Sequence, residues 1–300
     1  MCWTRIWPRF PRSRRHRDRA TRLLKRRGGC DDAAITWLDR DGVRLGYEEL
    51  GTGDPPMVLV HGIVCDRRYL APQLAHFATR HRTVAVDLRG HGESDAPEQD
   101  YTIEGFASDV AWMSQQLGLE RPVVVGHSLG GIVALALATA RPELVSGVVA
   151  LDSVLVPPAD RAVLMGELFA RLRTEEHALA VREYLSRLFG PDDDPQRCEW
   201  ILAESTRVPR HVVLSAWENG FFGFDSAEVV AACRTPFMYV DAGTPNVDLE
   251  ELRRLCPTLV LGRTVGAGHF HQLEVPDQVN AMIERFLVLA INDRRSSCRK

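Results

Sequence analysis

The sequence predicts an α/β protein: a mostly parallel sheet with helices on both faces. Three observations lead there. From Ala34 onward, short apolar runs alternate with helical patterns. Four runs, Met57 to Val60, Thr83 to Val86, Pro122 to Val125 and Gly147 to Leu151, are apolar almost throughout, as strands buried on both faces are. The stretches between them, at about 67 to 80, 103 to 117 and 129 to 140, are long enough for right-handed crossovers.

The elements follow in order. Ile35 to Leu38 and Val43 to Glu49 flank Asp41-Gly42, a two-residue hairpin signal, so the domain opens with an antiparallel pair. The four buried strands and their helices come next. Residues 153 to 235 break the rhythm: the segment has helical periodicity, Pro157-Pro158 at its start and no clear strand, and reads as a helical cap. Trp200, Trp217, Phe221, Phe222 and Phe224 cluster in its second half, most of them expected to pack the cap onto the sheet and one or two to line a substrate pocket. Phe237 to Val240 and Thr258 to Leu261 continue the strand series, and Pro276 to Ile291 reads as the closing helix. The core therefore comprises 31–152 and 236–292, the cap 153–235, with a basic, disordered extension over 1–30 and a flexible tail over 293–300.

Composition narrows the function. Three hundred residues, 45% apolar and 26% charged, exclude disorder of the whole chain. The longest apolar runs, Ile132 to Ala140 and Val145 to Val156, fall short of the roughly 20 residues that cross a bilayer. Seven scattered cysteines without a C-x-x-C pair suggest neither a disulfide framework nor a zinc site, so a reducing cytoplasm is the expected compartment. The net charge of −3 hides an asymmetry: residues 1 to 27 carry ten arginines and Lys25 against Asp18, while the remainder holds 26 basic and 39 acidic residues. That start lacks the apolar stretch of a secretory signal. It reads as a solvated extension ahead of a transit-like peptide or a polyanion-binding arm, and nucleic-acid binding would rest on it alone.

Chemistry concentrates in Gly126-His127-Ser128-Leu129-Gly130-Gly131, a G-x-S-x-G between an apolar strand and an apolar helix. A sharp strand-to-helix turn needs small residues at 126 and 130 and leaves the Ser128 hydroxyl at a helix N-terminus, where amides and dipole favour developing negative charge. Upstream, His61-Gly62-Ile63 ends a strand in a sharp turn. Acyl transfer at a serine needs two backbone donors for the oxyanion, and the amides of Ile63 and Leu129 are the natural assignments. One strand later comes Asp87-Leu88-Arg89-Gly90-His91-Gly92-Glu93-Ser94.

With these three motifs in this order, the chain over roughly residues 35 to 290 resembles the α/β-hydrolase superfamily, in the branch with His-Gly, D-x-R-G-H-G-x-S and G-H-S-x-G-G. The resemblance implies the α/β-hydrolase fold and gives His91 and Asp109 support roles. A serine nucleophile needs a base held by a third group. Val265-Gly266-Ala267-Gly268-His269-Phe270 looks like the family's G-x-G-H-F position, which makes His269 the candidate base and His271 its rival. Many relatives carry the acid in a G-x-x-D turn after the penultimate strand. Here that turn reads Val240-Asp241-Ala242-Gly243-Thr244-Pro245-Asn246-Val247-Asp248, with Thr, Pro or Asn at the usual place. Three carboxylates stay open: Asp152, at the end of the preceding strand, as some relatives place it; Asp248, which looks like a helix N-cap; and Asp241.

The resemblance implies a serine hydrolase that cleaves a small-molecule carboxylic ester or lactone through an acyl-enzyme, requiring no metal, nucleotide or flavin. Thioester cleavage, C–C bond hydrolysis and perhydrolysis use the same apparatus, and a non-catalytic ligand receptor on the hydrolase scaffold is the alternative of another class. Serine at 128 argues against the similar haloalkane dehalogenases and epoxide hydrolases, which use a carboxylate there. Neither a membrane nor a nucleic-acid partner is expected, and the oligomeric state is left open.

Overall fold

The computed structural model describes residues 35–190, 192–243 and 246–292. The expected extension over 1–30 and tail over 293–300 lie outside these residues. Eight strands, β1 (Thr36–Arg40), β2 (Val43–Leu50), β3 (Met57–Val60), β4 (Thr83–Val86), β5 (Val123–His127), β6 (Gly147–Leu151), β7 (Phe237–Asp241) and β8 (Val260–Arg263), form one sheet in the order β1-β2-β4-β3-β5-β6-β7-β8. β2 pairs antiparallel with β1 and β4; all other pairs are parallel. In the opening hairpin Asp41 and Gly42 both have positive φ, 55° and 85°, the backbone of a type I′ turn, whose twist matches that of its strands.

Successive strand residues face opposite sides, and in the inner strands β3 to β7, which are buried throughout, both sets are mostly apolar. Met57 and Leu59 of β3 pack with Leu74 and Phe77 of α1 (Ala71–Phe77) and with Val279 and Ile283 of α11 (Pro276–Phe286). Val58 and Val60 join the opposite layer with Phe106 and Val110 of α2 (Ile103–Gln116) and Ile132 and Leu135 of α3 (Leu129–Ala140). These inner runs are therefore not amphipathic, whereas β2, nearer the sheet edge, alternates Val43, Leu45 and Tyr47 with Arg44 and Glu48.

Boundaries differ from expectation where a particular residue intervenes. The stretch at 67 to 80 splits into a 3₁₀ turn, Arg67–Leu70, capped by Asp66, and α1, whose start is fixed by Pro72. The last strand lies two residues later than expected, since Arg263 stands opposite Asp241 in register and forms an ion pair with it. The closing helix ends at Phe286 and continues as a π-type turn, Leu287–Asn292.

The interval between β6 and β7 holds α4 (Ala159–Leu172), α5 (His177–Ser186), α6 (Pro195–Ser205), α7 (Arg210–Trp217), a π-type turn (Glu218–Phe222) and α8 (Ser226–Ala232), with no strand among its described residues. Asp194 caps α6 by accepting from the Arg197 amide, with Pro195 at the first helical position. The remaining helices are α9 (Leu249–Leu255) and the short α10 (His271–Glu274). Among the described residues no helix is long and apolar enough to cross a membrane.

Candidate active site

The C-terminal ends of β5 and β6 and the loops following β7 and β8 converge on one place. β5 passes into α3 through Ser128, whose φ of 52° and ψ of −118° lie where non-glycine residues are strained. The turn is as tight as the sequence suggested: a Cβ on Gly126 would stand 2.1 Å from the Gly130 carbonyl oxygen, and one on Gly130 would stand 2.2 Å from that of Val60. The Ser128 amide donates to the Leu151 carbonyl (2.9 Å), which fixes the elbow to the end of β6.

Asp152 follows immediately, also at positive φ (41°), with its amide bonded to the Val240 carbonyl (2.9 Å). Its side chain is fully buried. Asp152 Oδ2 lies 2.6 Å from His269 Nδ1 and accepts a hydrogen bond from Asn246 Nδ2 at 2.7 Å. A carboxylate can only accept from that ring nitrogen, so Nδ1 carries the proton and Nε2 is left as the basic atom. The His269 carbonyl accepts from His127 Nε2 (2.9 Å), and the two rings lie 4.6 Å apart, so the histidine loop is clamped to the residue preceding Ser128. Ser128 Oγ itself is not among the hydrogen-bond partners of His269 among the described residues. Ser128 and His269 are each 5% exposed, which leaves the site nearly closed.

The loop after β3 lies alongside. A Cβ on Gly62 would approach Ser128 Cβ to 3.1 Å, which brings the Ile63 turn against the serine. Val64, the next residue, has φ 52°, an outlier for a β-branched side chain. Leu129 opens α3, so its amide belongs to the first turn, which has no intrahelical acceptor.

The rival residues are engaged elsewhere. His271 is buried with Nδ1 3.1 Å from Thr264 Oγ1, and burial lowers its pKa to about 4. Asp241 pairs with Arg263 and accepts the Gly243 amide (3.0 Å). Asp248 is exposed and caps α9 through the Glu251 amide (3.0 Å). Of the three candidate acids only Asp152 touches His269. Asn246, in the turn that lacks the usual acid, had no role in the sequence reading, and no local signal pointed to it.

A family profile described as alpha/beta hydrolase fold matches residues 55–276, about three quarters of the chain. The chain belongs to the α/β-hydrolase fold family. Among its relatives, a 2-(acetamidomethylene)succinate hydrolase of Mesorhizobium japonicum is 37% identical over 115 residues, 38% of this chain and 41% of that protein. A bifunctional epoxide hydrolase 2 of Sus scrofa is 35% identical over 136 residues, 43% of this chain and 24% of that protein. The chain thus spans well under half the length of these curated relatives. A solved structure of a thermophilic esterase from Thermogutta terrifontis, 26% identical, covers 86% of this chain and 98% of its own with a TM-score of 0.74. The structure of Est816, an N-acyl homoserine lactone degrading enzyme, is likewise 26% identical and covers 83% and 99% at a TM-score of 0.74.

Seen as an α/β-hydrolase, the chain uses its D-x-R-G-H-G-x-S turn as a brace. Buried Asp87 accepts from the amides of Arg67 (2.8 Å) and Glu93 (2.9 Å) and from the Arg67 guanidinium, which ties the turn after β4 to the loop after β3. The amide of Leu88 donates to His61 Nε2 (3.0 Å), and His91 packs on His61 with ring centroids 5.2 Å apart. Asp109 forms ion pairs with Arg40 and Arg89. The α6 helix rests on the loop after β3: Trp200 stacks on Tyr69 (4.7 Å), and Arg68 bridges Asp66 and Glu204. Trp217 packs inside the helical interval against Tyr184, while the side chains of Phe221 and Phe222 lie outside the described residues. A charged cavity of about 360 Å³, lined by Arg67, Arg68, Glu93, Glu204 and Arg207, flanks the loop after β3 but does not include Ser128 or His269.

Proposed function

We propose that the protein is a serine hydrolase that cleaves a carboxylic ester or lactone through an acyl-enzyme. The observation that carries this reading is the Asp152–His269 pair beside a strained Ser128 at the head of α3. Ser128 Oγ attacks the acyl carbon and gives its proton to His269 Nε2. The oxyanion is held by the Ile63 and Leu129 amides, and Asp152 keeps the ring in its Nδ1–H tautomer and stabilises the imidazolium. His269 then protonates the leaving alcohol or ring oxygen. A water that loses its proton to His269 hydrolyses the acyl-enzyme and regenerates Ser128.

Catalytic hydrogen bonds commonly tighten in the Michaelis complex, so Ser128 Oγ and His269 Nε2 need to meet only there. The two structures similar at 26% identity, an esterase and a lactone-degrading enzyme, support the ester or lactone class. The epoxide hydrolase similarity does not carry over, because position 128 is a serine.

The test is initial rates on p-nitrophenyl esters, lactones and thioesters for the wild type and Ser128→Ala. Turnover of esters or lactones, reduced at least about 10³-fold in the variant, is expected. Equal rates in the two proteins would refute the assignment.

A further inference from the structure

We propose that Asp193 and Glu274 are positioning residues for His269: one proton shared between their carboxyl groups latches the loop that carries the histidine to the helical interval between β6 and β7. The proposal deepens the serine hydrolase reading and rests on it. The two side chains meet at Gly268. Its amide donates to Glu274 Oε2, at the end of α10, at 2.6 Å. A Cβ in its place would stand 3.5 Å from Asp193 Oδ2, 3.0 Å from the Gly190 nitrogen and 2.8 Å from the Leu188 carbonyl oxygen. The next amide, that of His269, donates to the same Leu188 carbonyl at 3.2 Å. Two successive amides of the histidine loop are thus held, one by α10 and one by the chain between α5 and α6.

The carboxyl groups themselves require the proton. Glu274 hydrogen-bonds Asp193 as well as the Gly268 amide. Two ionised carboxylates have no donor between them, so this bond needs a hydrogen on one of them. Both Asp193 oxygens already accept, Oδ2 from the Gly190 amide (2.8 Å) and Oδ1 from the Arg197 guanidinium (2.7 Å), which leaves the hydrogen to Glu274. Burial pushes the Glu274 carboxyl above its ordinary 4.5; the Gly268 amide opposes the rise and the charge of Asp193 adds to it. Arg197, on α6, faces the pair and also opposes the rise. Cys198, on the same helix, faces both carboxyls, and burial and then their charge push its thiol up. Asp194 is turned to the Arg197 amide as the cap of α6.

The latch fixes what the contacts of the ring leave free. Asp152 sets the tautomer of His269 and His127 holds its carbonyl, both from the sheet; Leu188 and Glu274 hold the amides from the other side. The place of Nε2 relative to Ser128 depends on all of them, and a misplacement of about 1 Å can cost about 10²-fold in rate. The proton closes the latch. As pH rises through the raised pKa of Glu274, a second carboxylate forms, like charges face each other beside Gly268, and the contact is lost. Glutamine at 274 removes that dependence, because its NH₂ donates to Asp193 while its oxygen still accepts from Gly268.

The experiment compares wild type, Glu274→Gln and Glu274→Ala as full chains, over the pH range in which circular dichroism stays native. It reads the hydrogen-exchange protection of the Gly268 and His269 amides, and kcat and KM on a p-nitrophenyl ester. Glu274→Ala is expected to lower both protections and kcat by about tenfold, the loss of one hydrogen bond to a charged group, with KM within about twofold. Glu274→Gln should keep protection and kcat within about twofold of the best wild-type values, and its protection should stay level where that of the wild type falls with rising pH. Unchanged protection in Glu274→Ala, or a glutamine variant as impaired as the alanine one, overturns the proposal. Should Glu274→Ala fail to fold, the pH profiles of the other two decide: identical profiles overturn it. Exchange needs no turnover, so a chain whose amides behave as expected but that cleaves no ester would fail the serine hydrolase reading and leave the latch standing.

Discussion

Asp152, Asp241 and Asp248 stand on adjacent strand ends and turns, and each is held by different chemistry: a histidine, an arginine and a helix amide. Those partners determine what each substitution should do. Asp152→Asn should lower kcat by about 10³ to 10⁴, since the wrong tautomer of His269 is then favoured. Asp248→Asn should stay within about twofold of wild type, because asparagine caps a helix as well as aspartate does. Rates on one p-nitrophenyl ester for both variants check this, and comparable losses in both would contradict it. The sequence exposed Ser128 and His269 through their motifs, yet left three acids in play. Which carboxylate meets an imidazole depends on the direction of a side chain at positive φ, and sequence distance carries no such information. Asn246 was hidden for a related reason: it does its work by a contact across two strand ends, and no local pattern marks it.

At the level of elements, the elbow is defined by the close approach of backbone to backbone. Gly130→Ala would drive its Cβ into the carbonyls of Val60 and His61, with no flexible side chain to yield. Overpacking of this kind should cost about 3 kcal/mol or more. Gly166, inside α4, has open space around it, so Gly166→Ala should instead stabilise by up to about 1 kcal/mol. Urea denaturation of the two variants checks the contrast in sign, and equal effects would contradict it. Strand positions were legible because apolar runs flanked by helical patterns leave few alternatives, as at Met57–Val60 and Gly147–Leu151. Ends were less legible where one residue intervened: Pro72 reset the start of α1, and the Arg263–Asp241 pair carried β8 beyond its apolar run.

Across the molecule, buried imidazoles tie stability to pH. Burial lowers the pKa of His61 to about 4, of His91 to about 3 and of His271 to about 4, and that of His127 falls well below the ordinary value of 6.5. Between about pH 6.5 and 4 the unfolded chain binds protons at these positions and the folded chain does not. Stability is therefore full above 6.5 and falls as the solution is acidified. Acidification through that window therefore favours unfolding, because the unfolded chain gains protons that the fold excludes at each of these rings. Tryptophan fluorescence against pH should show cooperative unfolding with a midpoint between about 4 and 6.5, and a chain still native below pH 4 would contradict this. The central claim is more local: one activated hydroxyl in this fold, at Ser128. A fluorophosphonate reagent followed by intact mass and peptide mapping tests it most directly. The account predicts a single adduct on Ser128, absent in Ser128→Ala and formed far more slowly in His269→Ala. Folded wild-type protein that takes no label, or takes it at another residue, would contradict it.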